Sequence, residues 1–109
     1  MFEITYYSEA VRREIHALPP TIQARYIHLT KRMLLVGPNL GMPHTRHMGD
    51  GLMEMRLAGA EGIGRVLYCC RVGGRIVMLH SFVKKTEKTP DRELRLARKR
   101  MREVSRVDA

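Results

Sequence analysis

A chain of 109 residues with 44% apolar residues has material for one domain built from a sheet and a few helices, and that apolar share excludes a disordered chain. Twenty Lys and Arg stand against eleven Asp and Glu, a formal charge of +9, which points to a polyanionic partner such as a nucleic acid, an acidic protein or an anionic membrane surface. No apolar run is long enough to span a bilayer, and Met1-Phe-Glu-Ile-Thr-Tyr-Tyr has neither the charged leader nor the apolar stretch of a secretory signal, so the expected location is cytoplasmic.

Phe2 to Tyr7 is rich in β-branched and aromatic residues and predicts a first strand. Ser8-Glu9 opens a helix whose apolar positions are Val11, Ile15 and Leu18, and Pro19-Pro20 ends it. Thr21 starts a second helix with Ile22, Tyr26, Leu29, Met33 and Val36 as one stripe, stopped by Gly37-Pro38. Two amphipathic helices joined by a tight break predict a helical hairpin laid on a sheet face. From Pro38 to Gly51 the pattern dissolves into Gly, Pro, Asn, His and Asp and reads as a loop.

Three strands then follow. In Leu52 to Ala58, Met53, Met55 and Leu57 alternate with Glu54 and Arg56. A turn at Ala60-Glu-Gly-Ile leads to Arg65–Val72, and Gly73-Gly74 predicts a tight primed hairpin into Arg75–Val83. Val77-Met78-Leu79 is continuously apolar, as expected of a strand covered on both sides. Thr89 as N-cap, Pro90 at the first helical position and acids at 91 and 93 open a last helix, whose apolar stripe of Leu94, Ala97, Met101 and Val104 is thin enough to predict weak packing. The fold class is α+β: a single domain over residues 1–109, in the order β-α-α-β-β-β-α. It has a small, mainly antiparallel sheet, an N-terminal helical hairpin on one face and a C-terminal basic helix.

Cys69 and Cys70 are adjacent and fall on opposite faces of a strand, so they are expected to be buried structural thiols. His44 and His47 sit three apart, but only Asp50 stands near enough to help complete a shell, so no metal is expected there and both are read as loop residues near an RNA surface. His16 and His28 fall on helices as surface or interface positions. The densest charge lies between Lys84 and Arg102, where nine Lys and Arg face three acids and supply +6 of the +9. Such concentration at the exit of a buried strand is the pattern of a rigid phosphate-binding wall, whereas a solvated helix has the same composition.

Three segments carry a family resemblance: Gly49-Asp-Gly-Leu-Met-Glu-Met-Arg56, Ile63-Gly-Arg-Val-Leu-Tyr68 and His80-Ser-Phe-Val-Lys-Lys-Thr-Glu-Lys-Thr-Pro90. Together they resemble the phage-derived HigB-like toxins of the RelE/ParE superfamily, by motif over the second half and by element order over the whole chain. The resemblance implies a toxin of a type II toxin–antitoxin pair. It would be a ribosome-dependent endoribonuclease that cuts messenger RNA, neutralised by a cognate antitoxin, often a helix-turn-helix protein from the adjacent gene. It also implies that Glu54 and Arg56, then Arg65, lie beside the site, and that His80, Phe82, Lys84 and Lys85 line it. Several relatives place a tyrosine just after the basic loop, where this sequence has Asp91-Arg92.

Cleavage of RNA beside a 2′-hydroxyl needs a base, an acid and positive charge for the transition state, with no metal or other cofactor. The candidates for that chemistry are Arg56 and Arg65 as planar forks for phosphate oxygens, Lys84 and Lys85 as paired cations and His80 as the residue that titrates near neutrality. Phe82, Lys88, Arg92, Arg95, Arg98 and Lys99 are the candidates for holding nucleic acid. Structural roles compete: Glu54 and Arg56 pairing with each other or with Arg65, His80 as a satisfied core histidine, Phe82 as core. Two other functions compete as well, a ParE-like inhibitor of DNA gyrase and a non-catalytic module that binds nucleic acid or antitoxin.

Overall fold

The computed structural model describes residues 1–84 and 88–108. Its elements run β1 (Glu3–Tyr6), α1 (Glu9–His16), α2 (Pro20–Val36), β2 (Thr45–Gly49), β3 (Leu52–Gly59), β4 (Gly62–Arg71), β5 (Arg75–Lys84) and α3 (Asp91–Asp108). The strands form one sheet in the order β1-β5-β4-β3-β2, with β1 parallel to β5 and the other pairs antiparallel. The α+β expectation holds, with one strand more than the sequence predicted.

That extra strand, β2, lies in the stretch read as loop. It is an edge strand with a single neighbour, so Thr-Arg-His-Met-Gly needs no hydrophobic alternation to form it. Its anchor is polar instead. The Thr45 side chain is buried and its hydroxyl accepts from the backbone N–H of Leu40 at 3.0 Å and Gly41 at 2.9 Å.

The helical hairpin forms where expected. Ser8 caps α1, its hydroxyl accepting from the Val11 N–H at 3.2 Å. In α2, Ile22, Tyr26, Leu29 and Met33 are buried, while Val36, expected in the same stripe, is 70% exposed at the last residue of the helix. Pro19 offers α2 no side-chain cap, and its first turn has no acid. Glu61, from the β3–β4 turn, takes that role by accepting from the Thr21 N–H at 3.2 Å and from the Thr21 hydroxyl. The helix approaches so closely that a Cβ at Gly64 would stand 2.5 Å from Ile22 Cγ2.

The sheet is covered on both faces. Met53, Met55, Leu57, Val66, Tyr68, Ile76 and Met78 pack against α1 and α2, and Leu52, Leu67, Cys69, Val77 and Leu79 pack against α3. Full burial of each large side chain contributes about 1.5–3 kcal/mol, so both clusters matter to stability. Cys69 is buried in the second cluster as expected. Cys70, on the opposite face of β4, is exposed, contrary to expectation.

The β4–β5 connection is a three-residue 3-10 turn, Val72–Gly74, between paired Arg71 and Arg75, and not the two-residue hairpin expected. Both glycines are left-handed, at φ 79° and 77°, and a Cβ on Gly74 would meet the Met1 carbonyl oxygen at 2.2 Å.

One irregularity in β5 decides the site. Leu67 pairs with His80 and Tyr68 with Met78, so Leu79 is the extra residue of a β-bulge. Unbroken alternation from Val77 and Leu79 would place Ser81 and Val83 on the α3 face. The bulge shifts the phase by one residue and brings His80, Phe82 and Lys84 there. The carbonyl of Leu79 accepts from Arg100 Nη1 at 2.8 Å.

Helix α3 is held more firmly than its thin stripe predicted. Leu94, Ala97, Met101 and Val104 all pack into the second cluster. Polar anchors add to them: Tyr7 donates to the Glu103 carboxylate, and the Arg100 guanidinium lies 4.9 Å from the centre of the Tyr7 ring. That hydrogen bond to Glu103 is the main reason the Tyr7 phenol titrates above its ordinary range. The start of the helix also differs from expectation. The Pro90 carbonyl accepts the first helical bond, from Leu94 N–H at 3.3 Å, so Pro90 takes the cap position and the Thr89 hydroxyl is left for another partner.

Candidate functional site

The register of β2 to β5 lines up polar residues in two adjacent rows on the α3 face. Arg46, Glu54, Leu67 and His80 are successive cross-strand neighbours, and Arg56, Arg65 and Phe82 form the next row. Neighbours in a row stand about 4.5–5.5 Å apart at Cα, close enough for guanidinium groups on adjacent strands to meet one carboxylate.

That carboxylate is Glu54, 1% exposed. Its Oε1 accepts from Arg65 Nη1 at 2.7 Å and from Arg46 Nε at 2.9 Å, and its Oε2 accepts from the buried Thr89 hydroxyl. Three elements are thereby tied to one group: β2 through Arg46, β4 through Arg65, and the residue that leads into α3. Of the competing expectations for Glu54, pairing with Arg65 is the arrangement found. Its partnership with Arg46 depends on β2, which no periodicity in the sequence marks.

Beside the buried pair lies a cavity of about 410 Å³ lined by Met42, Pro43, His44, Arg46, Arg56 and Arg65, with Thr45 and Glu54 completing the wall. Arg46 is 41% exposed and Arg65 2% exposed, so Arg46 can reach a ligand while Arg65 acts on it through charge from below. Arg56 is partly exposed on the same wall. His44 is held below the ordinary histidine range by partial burial, then by Arg32, Arg25 and His28. Its imidazole is therefore neutral at pH 7 and able to accept a proton.

The other predicted residues are distributed differently. His80 is 12% exposed, with its Nε2 3.1 Å from the Glu93 carboxylate, so it joins β5 to the first turn of α3 and does not line the cavity. Phe82 packs on the second core cluster, its ring centre 5.7 Å from that of His80, and remains partly exposed next to Arg65. Lys84 ends β5 opposite Ile63, two cross-strand pairs beyond Phe82 and outside the cavity wall. Lys85 lies outside the described residues.

Of the predicted nucleic-acid contacts, Lys88, Arg92, Arg95 and Lys99 are exposed. At 92, 95 and 99 the spacing puts the three α3 residues on one stripe. Arg98 is engaged inward: it donates to the Met48 carbonyl at 2.6 Å and the Gly49 carbonyl at 3.1 Å, clamping the β2–β3 turn. His44 and His47 are an odd number of residues apart along β2 and its approach, so they lie on opposite sides. His47 Nε2 is 3.4 Å from the Asn39 amide, and the pair does not converge on a metal.

Two residues of the cavity wall, Arg46 and His44, are not among the catalytic or nucleic-acid-binding candidates that the sequence offers. The only signal available was two basic groups two residues apart in an apparent loop, which is the face spacing of a strand.

A sheet of this order with helices on both faces and a cationic cavity at its β2–β4 edge defines a compact α+β protein of the RelE-like kind. The family model of the phage-derived protein Gp49-like family (DUF891) matches residues 13–102, and the chain belongs to that family, which is associated with toxins of toxin–antitoxin pairs. No curated protein matches the chain. Among the described residues no helix is long and apolar enough to cross a membrane.

Proposed function

We propose that this Gp49-like protein is the toxin of a type II pair and acts as a ribosome-dependent mRNA endoribonuclease. One observation carries the reading. Arginines from three consecutive strands, Arg46, Arg56 and Arg65, surround one cavity, and a neutral histidine stands on its rim. An arginine fork suits the paired oxygens of a phosphodiester, and a charge held in place before the reaction stabilises the developing dianion most.

In the mechanism this supports, Arg46 and Arg56 grip the non-bridging oxygens of the scissile phosphate. Arg65, fixed by Glu54, adds charge from beneath. His44 takes the proton of the 2′-hydroxyl, which attacks the phosphorus to give a cyclic phosphate as the 5′-oxygen leaves with a proton. Phe82 offers a face beside Arg65 on which a base can stack. Lys84 and Lys85 are the candidates for the acid. The cognate antitoxin, expected from the adjacent gene and acidic in character, would cover the cationic surface.

The test is induced expression followed by mapping of RNA 5′ ends, comparing the wild type with Arg56→Gln and His44→Gln. Cuts within translated codons that disappear in either variant, with fold retained, support the assignment. Intact RNA with halted DNA supercoiling replaces it by the gyrase reading, and growth arrest with neither effect replaces it by the binding-module reading.

A further inference from the structure

Helix α2 has a second charged face that the cavity does not use. Its seventeen residues contain no Asp or Glu, and Arg25, His28 and Arg32 recur at helical spacing on one flank. Arg25 and His28 are exposed and Arg32 is partly so. Among the described residues none of the three forms an ion pair with a carboxylate. Beneath them a cleft of about 400 Å³, lined by Thr21, Ala24, Arg25, His28 and Ala58, separates α2 from β3. The outer edge of β3 is reachable there because β2 pairs with it only as far as Met55.

The flank and the cavity are electrostatically continuous. His44, on the cavity wall, is close enough to Arg32, Arg25 and His28 that all three oppose its protonation. Folding therefore brings the cations of α2 up to the rim of the cavity, a placement that favours an anion entering between them. Arg25 and Arg32 are seven residues apart, about 10 Å along the helix axis, which leaves room for more than one phosphate.

We infer that the Arg25–His28–Arg32 flank of α2 is a second phosphate-binding subsite, carrying the single RNA strand that runs past His44 out of the Arg46–Arg56–Arg65 cavity. The inference rests on reading that cavity as an RNA-phosphate site. The ligand is a single-stranded phosphodiester chain, because the track joins the arginine-lined cavity to an open cleft along a cationic flank.

Binding of labelled oligouridylates tests it, using a short probe of about 4 nucleotides and a long one of about 12, within the range of single-strand site sizes. The variant is Arg25→Gln/Arg32→Gln, both on the surface. Loss of two phosphate contacts, each with a slope near −0.7, flattens the plot of log K against log salt by about 1.4 for the long probe and weakens binding about 25-fold near 0.1 M salt. The short probe, seated in the cavity, is unaffected. Amide shift mapping of the wild-type protein gives a readout independent of any variant: the long probe moves the α2 amides around Arg25 to Arg32 and the short probe does not.

An unchanged slope for the long probe, with no shifts in α2, overturns the subsite. So does a result in which the double variant keeps its RNA affinity but loses affinity for polyglutamate, which makes the flank a docking face for an acidic protein. If Arg56→Gln also leaves binding of both probes intact, it is the cavity reading that has failed and not the subsite alone.

Discussion

Glu54→Gln gives the sharpest test of how the site is built. The substitution keeps the size of the side chain and removes its charge, leaving the Arg65 guanidinium, 2% exposed, buried beside a neutral amide. Removing one partner of a buried pair costs about 3–5 kcal/mol, because the surviving charge stays desolvated. Arg46, 41% exposed, contributes little to this, since pairs open to solvent are worth about 0–1 kcal/mol. The Thr89 hydroxyl can turn to accept from the new amide, so its loss is small. The expected loss is therefore about 3–5 kcal/mol, a large part of the total of about 5–15 kcal/mol for a domain. At about 4 °C per kcal/mol it lowers Tm by about 12–20 °C. The chain has no tryptophan, so the assay is urea and thermal unfolding followed by far-UV circular dichroism. The double variant Glu54→Leu/Arg65→Met removes both charges and should recover most of the loss. A fall of less than about 1 kcal/mol in Glu54→Gln, or a double variant no better than the single one, refutes the buried-pair account.

Other substitutions separate structure from chemistry. Gly64→Ala drives a Cβ into Ile22 and should destabilise by about 1–3 kcal/mol, measured as a lower urea midpoint at constant slope. Gly74→Ala should be severe, because it adds a collision with the Met1 carbonyl to a left-handed φ, whereas Gly73→Asn, in open space, should be nearly silent in the same titration. Glu61 is held below the usual carboxylate range chiefly by the Thr21 hydroxyl. A depressed folded-state pKa contributes stability above the ordinary carboxylate range, and that contribution is lost as pH falls through the depressed value. Glu61→Gln should therefore be less stable than wild type at pH 7, with the two curves merging at acidic pH. His80→Asn should lower stability by about 1 kcal/mol by releasing Glu93 while leaving the proposed RNA cleavage intact; loss of that cleavage at unchanged stability would return His80 to the proposed chemistry.

Local signals were strong enough to place most elements. The caps at Ser8, the paired prolines at 19 and 20, the alternation of Met53, Met55 and Leu57, and the glycines at 73 and 74 each express a backbone preference or a face within a few residues. They carry the α+β class, the helical hairpin, four of the five strands and the last helix, along with the cationic character of the chain, whereas the candidacy of Arg56 and Arg65 rests on the family resemblance. Four things depended on residues distant in sequence. β2 is an edge strand whose polar residues satisfy one neighbour and solvent, so no periodicity marks it. The bulge at Leu79 sets which residues of β5 face α3, and a single extra residue has no signature in an apolar run. The two ends of α3 are held by Thr89 on Glu54 and Tyr7 on Glu103, contacts between groups 35 and 96 residues apart. Burial decided the rest: Glu54, Arg65 and His80 are the same kinds of charged or titratable residue as Arg46 and His44. Only their depth in the packed sheet separates those that hold the cavity together from those that line it within reach of solvent.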